Sequence, residues 1–241
     1  MITAKDKFYT LKINARKISF GDRFKVVNYN DYRGEESSIP YGYKKIKGTT
    51  ATIDLTLSMD ELLANMNSTT RNEIRRAQKE GVIAEQVHDH KAFVAYYNVF
   101  AKEKGLPTIN ESHLAKYGNN LMLAQARFNE HIMSMHATMI DDEEHIAGLL
   151  YSCSTRLDES VDKKMVGWSN RYLHYKEFEM LKGMGMTRYE WCGVCVDPNK
   201  PERYSIGQFK LKIGGEIRED LTLHSPLFSL LLRLKGKLNR K

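Results

Sequence analysis

The hydrophobic period of the chain changes at residue 121, and that change limits the folds open to it. Before this point apolar residues recur at helical spacing. From Leu121 three consecutive segments, Leu121–Arg127, His131–Ile140 and Ile146–Ser154, read as strands, with Asp141-Asp-Glu-Glu144 as a hairpin loop. Links this short join antiparallel neighbours, because a parallel return needs a crossover of a dozen or more residues. The centre of the chain is therefore expected to be an antiparallel meander.

Helical signals flank it. Ser58-Met-Asp-Glu61 is a capping box opening a helix with Leu62, Leu63 and Met66. A cap near Ser68 or Thr69 leads to Arg71–Lys79, closed by Gly81, with Ile74 and Ala77 on a narrow buried stripe. Asp89–Lys104 carries Phe93, Tyr96, Tyr97 and Phe100 and stops before Gly105 and Pro107, and a short helix is expected over Glu111–Tyr117. Beyond the meander the pattern predicts a short strand Lys164–Trp168, a helix Arg171–Met184 and a strand Thr187–Cys192. A loop, a short helix Ser205–Lys212 and a strand Glu216–Leu221 follow. Near the start, Phe8–Ile13 and Arg23–Val27 alternate like strands, and Thr52–Thr56 is another. The expected class is α/β of the α+β kind, a mixed, mostly antiparallel sheet flanked by helices. Residues 1–50 form a small β-rich part, 51–223 the main domain and 224–241 a basic amphipathic C-terminal helix.

With 41% apolar and 28% charged residues the chain can fill a core and is not disordered. No apolar run reaches membrane-span length and the first residues lack a signal-peptide core, so a cytoplasmic location is expected. The net charge is +7, of which the tail from His224 holds five in Arg233, Lys235, Lys237, Arg240 and Lys241. The near-neutral remainder argues against a protein that coats nucleic acid over its whole surface. Three cysteines are too few for a disulfide framework. Trp191-Cys-Gly-Val-Cys195 is similar to a redox pentapeptide, but a loop with two prolines follows where a thiol-activating helix should begin. No second Cys or His pair has ligand spacing, so neither a metal nor a bound cofactor is expected.

Four motifs carry a resemblance. The first three are Gly167-Trp-Ser-Asn170-Arg171-Tyr-Leu-His174-Tyr175, then Tyr189-Glu190-Trp-Cys192-Gly193, then Phe209-Lys210-Leu-Lys-Ile213-Gly214-Gly215. The fourth is Arg71-Asn-Glu-Ile74-Arg75-Arg76-Ala77-Gln-Lys79-Glu-Gly81-Val82. Together, from Thr52 to Leu221, they resemble the FemABX-type N-acyltransferases, a branch of the GNAT-like enzymes, in a single-domain version. Glu190, Cys192 and Ile213 replace the family's Asp, Gly and Phe. The resemblance implies a GNAT-like fold and transfer of an aminoacyl or acyl group to an amine, in cell-envelope, peptidoglycan or surface-sugar biosynthesis. The donor would be aminoacyl-tRNA or an acyl-CoA, although the usual coenzyme A pyrophosphate loop is missing. The acceptor would be an anionic small molecule or a lipid-linked precursor.

Such a transfer needs a deprotonated amine, a carbonyl held beside it and a donor facing the oxyanion. The resemblance gives Lys210 the oxyanion and lets Glu190 orient the incoming amine or accept its proton; His174, titrating near neutral pH by type, is a candidate proton acceptor. Asn170 and Arg171, at an expected helix start, would cradle a phosphate. Arg71, Arg75, Arg76 and Lys79 would grip a diphosphate or RNA backbone, and Tyr175, Tyr204 and Phe209 would line the site. Plainer readings stand beside these: a solvated Lys210, a packed His174, a Glu190 paired with an arginine, and a helix face salt-bridged through Glu73 and Glu80. A second functional reading is a catalytically silent GNAT-like module that binds tRNA or another anionic partner.

The tail leaves two readings open. Ser225 caps a helix with Pro226 at its first position, and Leu227, Phe228, Leu230, Leu231, Leu232 and Leu234 precede the basic block. This helix either docks on the protein or attaches residues 225–241 to the inner membrane face as a peripheral contact.

Overall fold

The computed structural model describes residues 1–238, with side chains as far as Lys235. Arg240, Lys241 and the side chain of Lys237 lie outside the described residues. Two compact units are present: residues 1–49 with those from Arg218 onward, and Thr50–Ile217.

In the larger unit the expected meander forms as β6 (Leu121–Phe128), β7 (His131–Asp141) and β8 (Ile146–Ser154), paired antiparallel in sequence. β5 (Ile83–Val87) adds to β6. On the other side β9 (Arg188–Glu190) runs parallel to β8, and β4 (Lys44–Asp54) pairs antiparallel with β9. A parallel neighbour demands a crossover, which α5 (Lys163–Gly183) supplies. The sheet is thus mixed and mostly antiparallel.

Two helix layers cover it. α5 and α2 (Ser68–Lys79) pack together on one face, where Met165, Val166, Leu173, Phe178 and Leu181 of α5 are buried. α3 (His90–Glu103) and α4 (Glu111–Ala115) cover the other through Phe93, Tyr97, Ala101 and Leu114. α1 (Met59–Asn65) opens with the expected capping box between Ser58 and Glu61. α2 is capped by Asn67, just before the expected Ser68 or Thr69.

Two segments differ from expectation in kind. Arg23–Val27, expected as a strand, starts inside a one-turn helix over Phe20–Phe24, and the strand begins only at Val27. Lys164–Trp168 is the first turn and a half of α5, not a strand. Met165, Val166, Ser169 and Leu173 recur at helical spacing on the buried face, and Asp162 caps the start through Lys164 N at 2.9 Å. α6 (Pro201–Lys212) also begins earlier than expected, with Pro201 at its first position.

The smaller unit contains β1 (Ile2–Lys5), β2 (Thr10–Ile13), β3 (Val27–Asn30) and β10 (Glu216–His224) in that order. β10 returns to β3 with Leu223 opposite Tyr29. α7 (Pro226–Leu238) follows, with Ser225 Oγ accepting from Phe228 N at 3.2 Å. Among the described residues no helix is long and apolar enough to cross a membrane.

Candidate active site

β8 and β9 pair only over Ile146–Gly148, yet β8 continues to Ser154. The sheet therefore opens beyond Glu190. There the chain turns out through Cys192 (φ 53°) and Gly193 (φ 106°). Cys192 occupies a left-handed conformation at the position where the family motif has glycine, which is the physical reason for that glycine.

Lys210 reaches this exit. Its Nζ donates to Trp191 O at 2.7 Å and Gly193 O at 2.6 Å. An ammonium has three protons, so one remains after these two bonds. Burial lowers the Lys210 pKa, with Cys192 pulling weakly the other way. Two glycine positions make this reach possible. A Cβ on Gly207, one turn before Lys210, would sit 2.3 Å from Cys195 O, so only glycine lets α6 lie against the exit loop. Gly214, at φ 92°, ends α6 as the family motif requires.

His174 is placed differently from its expected role. It is 1% exposed, stacked on His136 with centroids 4.1 Å apart and edged by Trp191 at 4.8 Å. A proton acceptor has to reach its substrate, and this ring is enclosed on every side. Neither of its nitrogens has a hydrogen-bond partner, and Nδ1 makes only a 3.4 Å contact with Glu177 Oε2. Burial first, then neighbouring His136, lowers its pKa to about 4 against the pull of Glu177.

Glu177 and His136 were not legible as site residues. Glu177 Oε2 meets His136 Nδ1 at 2.6 Å, Thr138 Oγ1 donates to Oε1 at 3.3 Å, and His136 Nε2 meets Asn170 Oδ1 at 2.9 Å. Burial raises the Glu177 carboxyl, but the two histidines outweigh it and hold the pKa near 2. The signal was Ser134-Met-His136-Ala-Thr138, a polar stripe on one face of an apolar strand, which requires a buried polar partner. His136, His174 and Glu177 offer donor atoms within 4.8 Å of one another, a set zinc can accept. At 2.6 Å, however, His136 and Glu177 already satisfy each other directly.

The other expected residues divide. Asn170 lies two turns inside α5, not at its start, so no free helix N–H groups face it; its amide is instead oriented by His136. Arg171 pairs with Glu73 at 2.7 Å, donates to Gly167 O at 2.9 Å and lies over Phe209 at 5.1 Å. It ties α2, α5 and α6 together. Glu190 is 4% exposed and sits with Gly148, Cys192 and Met139 on the sheet face opposite Tyr189 and Trp191, away from His174. Lys210, Glu190 and His174 therefore do not share one pocket.

Arg71 donates to Ala64 O at 3.0 Å and to Met66 O, satisfying carbonyls at the end of α1. Arg76 lies over Trp168 at 5.5 Å and pairs with Glu80 at 3.6 Å. With Thr69, Asn72 and Glu73 these residues line an open depression of about 370 Å³. Arg75 and Lys79 are exposed beside it. Tyr175 and Phe209 pack half-buried against the core, and Tyr204 is half-buried on α6.

No protein-family model and no curated protein matches this sequence. Solved structures do. FemX superimposes with a TM-score of 0.69 at 15% identity, over 96% of this chain and 85% of that one. The chain has a FemX-like fold. The C-terminal domain of a putative lysylphosphatidylglycerol synthetase from Agrobacterium fabrum follows with a TM-score of 0.57 and 12% identity, over 97% and 82% of the two chains. L-PGS from Bacillus licheniformis gives 0.56 and 16%, over 93% and 80%. The FemX-like chain thus shares an architecture, not a readable sequence, with these proteins.

Two outcomes follow from this geometry. The unfolded chain protonates His174 near pH 6.5 while the folded chain resists to about 4, so acidification through that window favours unfolding, by on the order of 3 kcal/mol. His174→Leu should flatten the slope between pH 6.5 and 4 in urea melts and change stability at pH 7 by less than ~1.5 kcal/mol. An unchanged slope would place the titration elsewhere. Cys192 is exposed and Cys195 half-buried, both unbridged, and α6 begins only at Pro201. Cys192→Gly with Cys195→Ser should therefore leave activity intact and the melting curve within ~1 kcal/mol of the parent; lost activity in a folded variant would restore a redox role.

Proposed function

We propose that the chain is an N-acyltransferase that moves an aminoacyl or acyl group onto an amine of a cell-envelope precursor. The observation carrying this reading is Lys210, held by two carbonyls at the point where β8 and β9 part, on a FemX-like fold. The third proton of this ammonium is the one left to meet a donor carbonyl as it develops negative charge. In the reaction the amine attacks that carbonyl, a C–N bond forms, the ester or thioester bond to the donor breaks, and the proton lost by the amine ends on the departing oxygen or sulfur. Lys210 stabilises the oxyanion between these events. The named synthetase among the structural relatives supports an aminoacyl donor and an acceptor in the envelope.

Exposed Arg75 and Lys79, beside the depression lined by Arg76 and Trp168, suit the phosphates of a tRNA or of a diphosphate acceptor. Native mass spectrometry with charged tRNAs against coenzyme A thioesters tests the reading. The expected result is a donor complex and a mass shift on an added amine acceptor. Binding of charged and uncharged tRNA alike, with no transfer to any acceptor, would replace it with the silent anion-binding module.

A further inference from the structure

The smaller unit displays apolar side chains that its own fold does not need. A one-turn helix over Phe20–Phe24 holds Asp22 inward, where Lys12 Nζ meets its carboxylate at 2.5 Å and the Tyr29 hydroxyl donates to the same oxygen. The turn is thereby fixed in place, yet Phe20 and Phe24 stand 83% and 67% exposed, edge to face at 6.0 Å. A rigid turn that presents two phenylalanines to water is costly unless something covers them.

α7 packs beside this turn. It is seated through Phe228, which is buried against Tyr9 and His224 at ring separations of 5.2 and 4.7 Å. Its outward side carries Leu227, Leu230 and Leu234 at helical spacing, 40% to 52% exposed. Phe8, also exposed, lies under Lys235 at 4.9 Å and Lys7 at 5.5 Å. Segments 7–9, 17–25 and 226–235 contain Lys7, Lys17, Arg23, Lys25, Arg233 and Lys235, and a single acid, the buried Asp22.

We infer that the Phe20–Phe24 turn, Phe8 and the leucine stripe of α7 form a docking surface for an anionic lipid bilayer. Aromatic and leucine side chains entering the headgroup region, with lysines and arginines left at its charged surface, is the pattern of interfacial binding. A second copy of the chain would set these cations against one another, and lysine is depleted from protein interfaces. The tail alone, as read from sequence, supplied only half of this surface; the turn supplies the rest. The inference does not rest on the transfer reading, because vesicle binding is measured without donor or acceptor.

Co-sedimentation of the full chain with phosphatidylcholine vesicles, with and without phosphatidylglycerol, tests it. Binding is expected only with phosphatidylglycerol, weakening as salt rises. Phe20→Ser with Phe24→Ser should reduce affinity about tenfold or more while the thermal melt stays unchanged, since both rings are exposed. Leu230→Ser with Leu234→Ser should weaken binding independently. Failure to sediment at low salt, or equal binding by parent and phenylalanine variant, overturns the inference. So does a concentration-dependent dimer that the phenylalanine variant abolishes without any vesicle binding.

Discussion

Replacing His136 by alanine should cost about 3–5 kcal/mol of stability at neutral pH, with a fall in Tm on the order of 10 °C. Glu177 is fully buried, and His136 is its main partner at 2.6 Å. Without that ring the carboxylate keeps Thr138 at 3.3 Å and the 3.4 Å contact with His174 Nδ1, and must bind a proton, share one with His174 or draw in water. Removing His136 raises the Glu177 pKa and relieves part of the downward push on His174, so the variant should lose less stability than the parent as pH falls from 7 toward 5. The parent protein, governed there by His174, loses stability over the same interval. Denaturant titrations at the two pH values separate the shallower slope from the steeper one. His136→Leu with Glu177→Met removes both partners and should recover most of the loss. A single variant as stable as the parent at pH 7 would mean that Glu177 is not held ionised by His136.

Lys210→Ala is expected to lower turnover by about 10²–10³ with KM changed only a few-fold, because an oxyanion contact forms chiefly in the transition state. The measurement uses the donor that mass spectrometry identifies. The same side chain braces Trp191 O and Gly193 O, so the melting curve must be recorded beside the kinetics. Lys210→Met keeps most of the stem's packing and should show the same loss of turnover. Full turnover in a folded variant would reduce Lys210 to a strand-end brace.

Local pattern revealed the meander, the capping box at Ser58 and the helices over His90–Glu103 and Pro226–Leu238, because each is written in nearby residues. It misplaced the start of α5. Met165-Val-Gly-Trp168 is too short to separate strand from helix by period. Inside the helix, a Cβ at Gly167 would stand 3.3 Å from the Arg171 guanidinium. β5 escaped notice because Glu85 and Gln86 interrupt its apolar character. The grouping of residues after Arg218 with the N-terminal strands joins positions about two hundred apart, which no local period encodes. The site was legible where a motif served backbone geometry, as at Cys192-Gly193 and Gly214. It was illegible where two distant polar residues complete each other, as His136 and Glu177 do.

The irregularity between β7 and β8 has an evolutionary consequence. Ala137 pairs with Tyr151 and Thr138 with Leu149, so Leu150 is one residue too many for its partner strand. Before it, the odd-numbered Ala147 and Leu149 join the core beneath α5; after it, the odd-numbered Tyr151 and Cys153 join the core beneath α3. The strand thus carries two out-of-phase side-chain frames spliced at Leu150. Excising that one residue would leave a regular ladder with Leu149 still opposite Thr138 and Tyr151 still opposite Ala137, so each side chain keeps its core; excising a residue elsewhere in β8 would slide one frame against its core. In a library of single-codon deletions selected for folding, loss of Leu150 should therefore survive, while losses at the flanking positions of β8 should be absent.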